Sequence, residues 1–324
     1  MTALVRAEVG VIDHPSGYLA LSPRNAIFSR EALPGFIAYR DQGRHLVMFG
    51  GVHAPEAARE PLLDAFLAEA ERRGRRALAV QVREEQGDLF RSRGFTVNRF
   101  GSTYGVELQG YSFAGGAKVN LRNKIKRARA AGLTVLEVGR ELPATADTFM
   151  KLQAVSDAWL GEKKKKELDF MIGELGVPAD PDRRIFVVLD SKRAFTAFIT
   201  YVPAYGRRGG WLHDLTRRVP DAPVGCMELC NQVAIERLAA DGAQWLHFGF
   251  TPFLVEGDEG PGASPVVAWV LRLLGRFGAA LYPAQQQREY KKKWLPSVVE
   301  PELVAFRPLS LRAIWDLLVL TRSV

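Results

Sequence analysis

The stretch WLHDLTRRVPDAPVG, Trp211 to Gly225, puts one carboxylate and two guanidinium groups where a strand pattern gives way to a helical one. Trp211, His213 and Leu215 alternate with the two-residue period of a strand, and Gly225 stands just ahead of a helix. Asp214, Arg217 and Arg218 therefore fall at a strand end, beside a helix N-terminus that favours negative groups. In that position Arg217 can hold a phosphate or carboxylate, and Asp214 can hold an ammonium or accept a proton. An ordinary Asp–Arg pair that only closes the strand is the competing reading.

Three basic clusters lie elsewhere in the chain. Between Lys118 and Arg129 stand Lys118, Arg122, Lys124, Lys126, Arg127 and Arg129, with no acidic residue among them. Arg122, Lys126 and Arg129 are spaced four and three apart, so they share a helix face. Like charges at that spacing repel, and an anionic partner would offset the repulsion; a merely solvated face is the alternative. The second cluster, Lys163 to Lys166, is flanked by Glu162 and Glu167 in WLGEKKKKELDF. The third, REYKKKWLP, interleaves Tyr290 and Trp294 with lysines, which suits base stacking with phosphate neutralisation and equally suits a membrane interface. The formal net charge of +8 over 324 residues points the same way, to nucleic acid, anionic lipid or a phosphorylated small molecule.

Several reaction classes find no motif. There is no GxSxG, no HExxH and no GxxxxGK[ST], and the five histidines show no ligand spacing. Cys226 and Cys230 share one helix face, but two thiols alone do not fill a tetrahedral metal site, so buried small hydrophobes in a reducing cytosol are expected. Ala222-Pro223-Val224-Gly225 is too poor in glycine for the pyrophosphate loop of acetyl-CoA enzymes, commonly Q/RxxGxG/A, which argues against a coenzyme A donor. The start, MTALVRAEVGVIDHPSG, lacks the apolar core of a signal peptide. Val266 to Tyr282 comes nearest to a membrane span, but Arg272 and Arg276 interrupt it. It and Leu309 to Leu320 read as amphipathic helices, either packed in a core or lying on a membrane.

The elements that must position these residues follow from periodicity. FIAYRDQ and HLVMFGG read as strands around a turn at Gln42-Gly43, with a helix placed from Pro61 carrying Leu62, Leu63, Phe66, Leu67 and Ala70 on one stripe. ALAVQV, GFTVNRF and TYGVEL follow as strands. Beyond Gly115-Gly116 come a basic helix, the strand LTVLEV, helices over roughly Ala144 to Gly176, and the strands RRIFVVLD, RAFTAFITYV and GGWLHDLTRR. The helix GCMELCNQVAIERLAADG and the strand WLHFGF close the pattern. The second half repeats the order of the first without repeating its sequence. This predicts an α/β protein with a mixed sheet, divided as residues 1–112 and 113–324, each half like an N-acetyltransferase (GNAT) domain whose central strands part to admit an acyl donor.

Taken in order, GGAKVNLRNKIKRARAAGLTV, SDAWLGEKKKKELDF, HDLTRRVPDAPVG, LHFGFTPF and YKKKWLP resemble the soluble catalytic domain of the lysylphosphatidylglycerol synthases, the multiple peptide resistance factors. GGVHAPEAAREPLLDAFLAEAERRG and LFRSRGF in the first half are similar as well, so the resemblance covers most of the chain. It implies two tandem acyltransferase-like domains, an aminoacyl-tRNA donor and a phosphatidylglycerol acceptor, with no metal or redox cofactor. It implies action at the inner face of a membrane by an otherwise cytoplasmic chain. Asp214 and Arg217 match the family's DLxR pair: Asp214 for the donor's amino group or proton transfer, Arg217 for a phosphate or the developing oxyanion. Lys291 and Lys293 match FKxKF and would bind phosphate, Glu167 is a second candidate for the amine, and Arg122, Lys126, Arg129 and Arg218 would bind tRNA or lipid headgroups. Three features depart from the pattern. Tyr290 and Trp294 replace phenylalanines, Pro296 is followed by Ser297, Val298 and Val299 where the family's late motif commonly continues to a tryptophan, and the chain has no counterpart to the many-helix membrane domain of known members. A soluble acceptor, an acyl-CoA donor and a non-catalytic basic module that binds RNA or membrane remain the alternatives.

Overall fold

A computed structural model describes residues 9–163, 181–254, 262–277 and 284–321, together with 170, 173, 175 and 260. Its strands are β1 (Ala26–Arg30), β2 (Leu33–Gln42), β3 (His45–His53), β4 (Arg76–Arg83), β5 (Thr96–Glu107), β6 (Thr134–Glu137), β7 (Arg184–Leu189), β8 (Phe195–Ala204), β9 (Gly210–Arg218), β10 (Trp245–Pro252) and β11 (Val298–Arg307). The α-helices are α1 (Gly17–Ala20), α2 (Glu56–Arg72), α3 (Gly87–Arg91), α4 (Val119–Ala130), α5 (Ala146–Lys163), α6 (Cys226–Ala240), α7 (Pro265–Phe277), α8 (Ala284–Lys292) and α9 (Leu311–Leu320). Among the described residues no helix is long and apolar enough to cross a membrane.

All the strands join one mixed sheet in the order β1-β2-β3-β4-β11-β5-β10-β9-β8-β7-β6. The expected α/β class and its two-halved strand order are present. The halves are nevertheless interleaved, because β11, made late in the chain, lies antiparallel between β4 and β5 of the first half. Two helical layers cover the sheet. On the upper face α2 packs on β3 and β4 through Leu62, Leu63 and Phe66, α6 packs on β7 and β8 through Leu229 and Cys230, and α4 packs against α6 with Leu121 and Ile125 in the same core. On the lower face α5 packs on β7 to β9 through Leu152 and Val155, while α1, α7 and α9 cover Val47, Phe49, Leu78, Val80, Val304 and Phe306. Alternation along β11 shows the division: Leu303 and Ala305 face up, Val304 and Phe306 face down.

Each half holds one parallel strand pair, and both pairs part midway. β3 and β4 are in register only over His45–Phe49 and Arg76–Val80, and β9 and β10 only over Gly210–Leu212 and Trp245–His247. Beyond those points the strands diverge, which leaves backbone groups without a ladder partner. In the first half the Gln86 amide closes the gap, accepting from Val52 N–H (2.9 Å) and donating to Val52 C=O (3.1 Å). One sequence expectation needs correction. α2 begins at Glu56 rather than at Pro61, because the helix-forming run EAARE precedes the proline. Pro61 therefore lies inside the helix, where its missing N–H leaves the Ala57 carbonyl without a helical donor.

Candidate functional site

β9 carries the first cluster. Asp214 and Arg217 are three positions apart, which in a regular strand would set them on opposite faces. A bulge prevents this: Tyr201 pairs with His213 and Ile199 with Thr216, so Asp214 and Leu215 together oppose Thr200. The Thr200 hydroxyl accepts the Leu215 N–H that the bulge frees (3.0 Å). Asp214 thereby joins Arg217 on the lower face, with its side chain 1% exposed. Gly173 N–H donates to Asp214 Oδ1 (2.8 Å) and Arg183 Nη1 to Oδ2 (2.9 Å). A side chain at residue 173 would collide with this carboxylate, so the close approach requires glycine. Burial pushes the Asp214 carboxyl above its ordinary range, against the opposing pull of Arg183, the Gly173 N–H and Arg217.

Arg217 is buried against α5. Its guanidinium lies 4.3 Å from the centre of the Trp159 ring, and its Nε donates to Ser156 Oγ (3.4 Å). Arg183 is bonded to the Asp214 carboxylate, and the Arg217 charge acts on it as well. The arrangement suits a phosphate or an oxyanion. The two roles expected of Asp214, holding an ammonium and accepting a proton, both remain compatible with a buried carboxylate in this setting.

The second feature is the gap between β9 and β10. Lys291, on the upper helix α8, reaches into it and donates to Gly249 C=O (2.8 Å) and Phe250 C=O (2.9 Å). Those carbonyls belong to the part of β10 that no longer pairs with β9. Lys291 was expected to bind phosphate; it is instead buried and bonded to two carbonyls of β10. Burial lowers its ammonium to about 7, with the Glu302 charge acting in the opposite direction. His213 lines the same gap and sits 2.6 Å from Thr216 Oγ1. Burial, then the Lys291 and Lys293 charges, hold His213 down at about 3, so it is neutral at physiological pH.

The third cluster is on the upper face, at the N-terminus of α6. Gly225 precedes this helix in the left-handed conformation, φ 91°. A Cβ there would meet the Lys124 carbonyl, so α4 and α6 come together only over a glycine. Glu228 occupies the first turn of α6 and accepts from Lys293 Nζ (2.6 Å) and Lys124 Nζ (3.4 Å). Burial alone would raise the Glu228 carboxyl, but Lys293 and Lys124 outweigh it and hold it below its ordinary value. Lys293 also lies 3.8 Å from the centre of the Tyr290 ring. Tyr290 and Trp294, expected as stacking platforms, are core residues: Trp294 is fully buried and stacks on Phe248 at 5.5 Å, and Tyr290 bonds to Asn231.

On α4, Arg122 turns back to donate to Phe113 C=O (2.8 Å) and Gly115 C=O (2.6 Å), so it holds the turn before the helix. Lys126 and Arg129 are exposed, and Arg129 Nη2 donates to Gln232 Oε1 (3.2 Å). Arg218 pairs with Ala197, an upper-face residue, and caps Pro220 C=O (3.1 Å). The adjacent Arg217 and Arg218 thus serve opposite faces. Glu167 lies outside the described residues. Sequence reasoning gave no role to Arg183, Ser156, Trp159 or Glu228, although Ser156 and Trp159 stand in the SDAWLGEKKKKELDF stretch and Arg183 in the basic doublet that leads into β7. Among the described residues no group of three or more His, Cys, Asp or Glu side chains is placed to hold a metal ion.

Known proteins resemble this chain over most of its length. Residues 6–306 match the family described as "Phosphatidylglycerol lysyltransferase, C-terminal". The lysylphosphatidylglycerol biosynthesis bifunctional protein LysX of Nocardia farcinica is 27% identical over 314 residues, covering 91% of this chain and 27% of that protein. The same-named protein of Mycobacterium tuberculosis H37Rv is 24% identical over 291 residues, covering 88% of this chain and 24% of that protein. The chain thus spans about a quarter of the length of these curated relatives. Two solved structures share the fold. A C-terminal domain from Agrobacterium fabrum, assigned to a lysylphosphatidylglycerol synthetase, gives a TM-score of 0.79 at 23% identity, covering 98% of this chain and 96% of that one. L-PGS from Bacillus licheniformis gives 0.78 at 22% identity, covering 95% and 91%.

Proposed function

Because the chain belongs to the phosphatidylglycerol lysyltransferase C-terminal family, we propose that it moves an aminoacyl group from an aminoacyl-tRNA to a hydroxyl of phosphatidylglycerol. The match over residues 6–306 carries this reading, and the two-faced site supports it. Lys126 and Arg129 on the upper face offer cations to a tRNA backbone. Arg183 and Arg217 on the lower face offer guanidinium groups to the phosphodiester of the lipid. The parted strands β9 and β10 lie between them.

In the proposed step a glycerol oxygen of the lipid attacks the carbonyl carbon of the aminoacyl ester. The new ester bond forms as the bond to the terminal ribose oxygen breaks, and the hydroxyl proton passes to that ribose oxygen. Asp214 collects the proton, and Arg217 stabilises the oxyanion formed at the carbonyl. The ester is already activated, so alignment supplies most of the acceleration, and no cofactor is called for. We divide the chain as residues 1–112, a supporting unit whose sheet β11 completes, and residues 113–324, the unit that carries the site. The acyl-CoA alternative is disfavoured by Ala222-Pro223-Val224-Gly225 ahead of α6, which is too poor in glycine for a pyrophosphate loop.

The test uses purified chain, a charged tRNA pool with labelled amino acids, and phosphatidylglycerol vesicles. RNase-sensitive label in the extracted lipid is the expected result, and it identifies the amino acid. Label that appears only in a water-soluble product would replace the lipid acceptor, and transfer that needs acyl-CoA would replace the tRNA donor.

A further inference from the structure

The lower face has a property that the reaction does not use. A helix packed on a sheet normally buries an apolar stripe and shows water a polar one. α7 and α9 bury one apolar stripe and expose another. α7 sets Val267, Ala268 and Leu271 into the core, yet Val266, Trp269 and Leu273 face outward at helical spacing, with Trp269 59% exposed. α9 buries Ala313, Leu317 and Leu320, yet Leu311 is 86% and Trp315 52% exposed. Of nine large hydrophobic side chains exposed among the described residues, these two helices hold five. The concentration is therefore a patch and not scattered surface.

Both helices pack on the same face of the sheet, α7 over β5 and α9 over β2 and β3. With the strand order β3-β4-β11-β5, about 15 Å separates them at the usual strand spacing. Both stripes belong to the helical layer on the lower face of the sheet, the face that also carries Asp214 and Arg217. The charge on these helices is one-sided. α7 holds Arg272 and Arg276 and no acidic residue. The single acid of α9, Asp316, is buried and bonded to His45, the Arg44 N–H and Arg312.

We propose that the outer stripes of α7 and α9 form a docking face for an anionic lipid bilayer. Trp269 and Trp315 would enter the headgroup boundary, and Arg272 would meet lipid phosphates. A second copy is a poor occupant, since pairing α7 with itself would set arginine against arginine with no carboxylate between. The choice of lipid rests on the transferase reading, and the face would present the Asp214 side of the sheet to the membrane.

Vesicle flotation tests this with 1:1 phosphatidylglycerol–phosphatidylcholine vesicles against pure phosphatidylcholine. The wild type should float with the anionic vesicles and little with the neutral ones. Trp269→Ser with Trp315→Ser should lower partitioning by about tenfold or more, since two large side chains lose their burial in lipid. Arg272→Glu should weaken binding most at low salt. Both variants change exposed positions, and unchanged thermal melting checks that they fold. Transfer assays separate the two ideas. The tryptophan double variant should lose aminoacylation of vesicle lipid but keep it for monomeric short-chain phosphatidylglycerol. If the short-chain lipid is aminoacylated while the wild type ignores vesicles, the transferase reading stands and the docking face falls. If vesicles bind through this face and neither lipid is aminoacylated, the docking face stands and the transferase reading falls. A double variant that floats like the wild type, or a dimer that these substitutions dissolve, also overturns the docking face.

Discussion

A carboxylate buried between two guanidinium groups has few available roles. Asp214 accepts from Gly173 at one oxygen and from Arg183 at the other, so Asp214→Asn removes the charge and also turns an NH2 toward one of these donors; an unchanged melting temperature is the control that lets a slower reaction be read as lost proton handling. Asp214→Asn is expected to slow single-turnover transfer by about 10²–10⁴-fold; a wild-type rate would remove Asp214 from the proton path. Glu302 permits a test that does not involve the reaction. Burial raises its carboxyl from 4.5 to about 7, against the pull of Thr103 and Arg83. A carboxyl raised in the folded state binds more protons there than in the unfolded chain. Its contribution to stability is therefore complete below 4.5 and lost as pH rises through about 7. Glu302→Gln should flatten the decline in melting temperature across that window, and an unchanged slope would assign the decline to other groups. Part of the site was legible in the sequence, because a carboxylate and arginines at a strand end are visible as residue types. The bulge that turns Asp214 toward Arg217 depends on a neighbouring strand, and Arg183 reaches the site from a segment about 30 residues away (31 by numbering).

At the scale of elements, local patterning announced most strands and helices, including α4 and α6, since alternation and stripes are read within one segment. Contacts between elements were not announced. Gly225 was visible as the start of a helix, but its second duty, letting α6 approach the Lys124 carbonyl on α4, comes from packing. Gly225→Ala should therefore do more than strain a left-handed residue. We expect a loss of about 1–3 kcal/mol, read as a lower denaturant midpoint, together with weaker tRNA binding as α4 shifts. A variant of wild-type stability would show that the two helices can part without penalty. REYKKKWLP misled for the same reason: aromatics among lysines look exposed in sequence, whereas a helix lying on a sheet buries one stripe whatever stands next to it.

At the scale of the molecule the sheet is one unit. β11 hydrogen-bonds to β4 on one side and β5 on the other, so neither half completes its sheet alone. The full chain is expected to melt in a single transition, and a fragment of residues 1–112 to show no cooperative melting by circular dichroism. A fragment that melts cooperatively would show that the β4–β5 gap closes without β11. No local signal marks this strand as belonging to the first half, because its partners lie about 200 residues earlier. The same strand sets a timetable for biosynthesis. At about 5–20 residues per second, roughly 10–40 s separate the emergence of β5 from that of β11. For that interval the nascent polypeptide carries two unfilled strand edges, each a template for pairing with a neighbouring chain. A chain cut short before residue 307 is therefore expected to be aggregation-prone rather than a usable half, and the exposure of those edges lasts until β11 arrives.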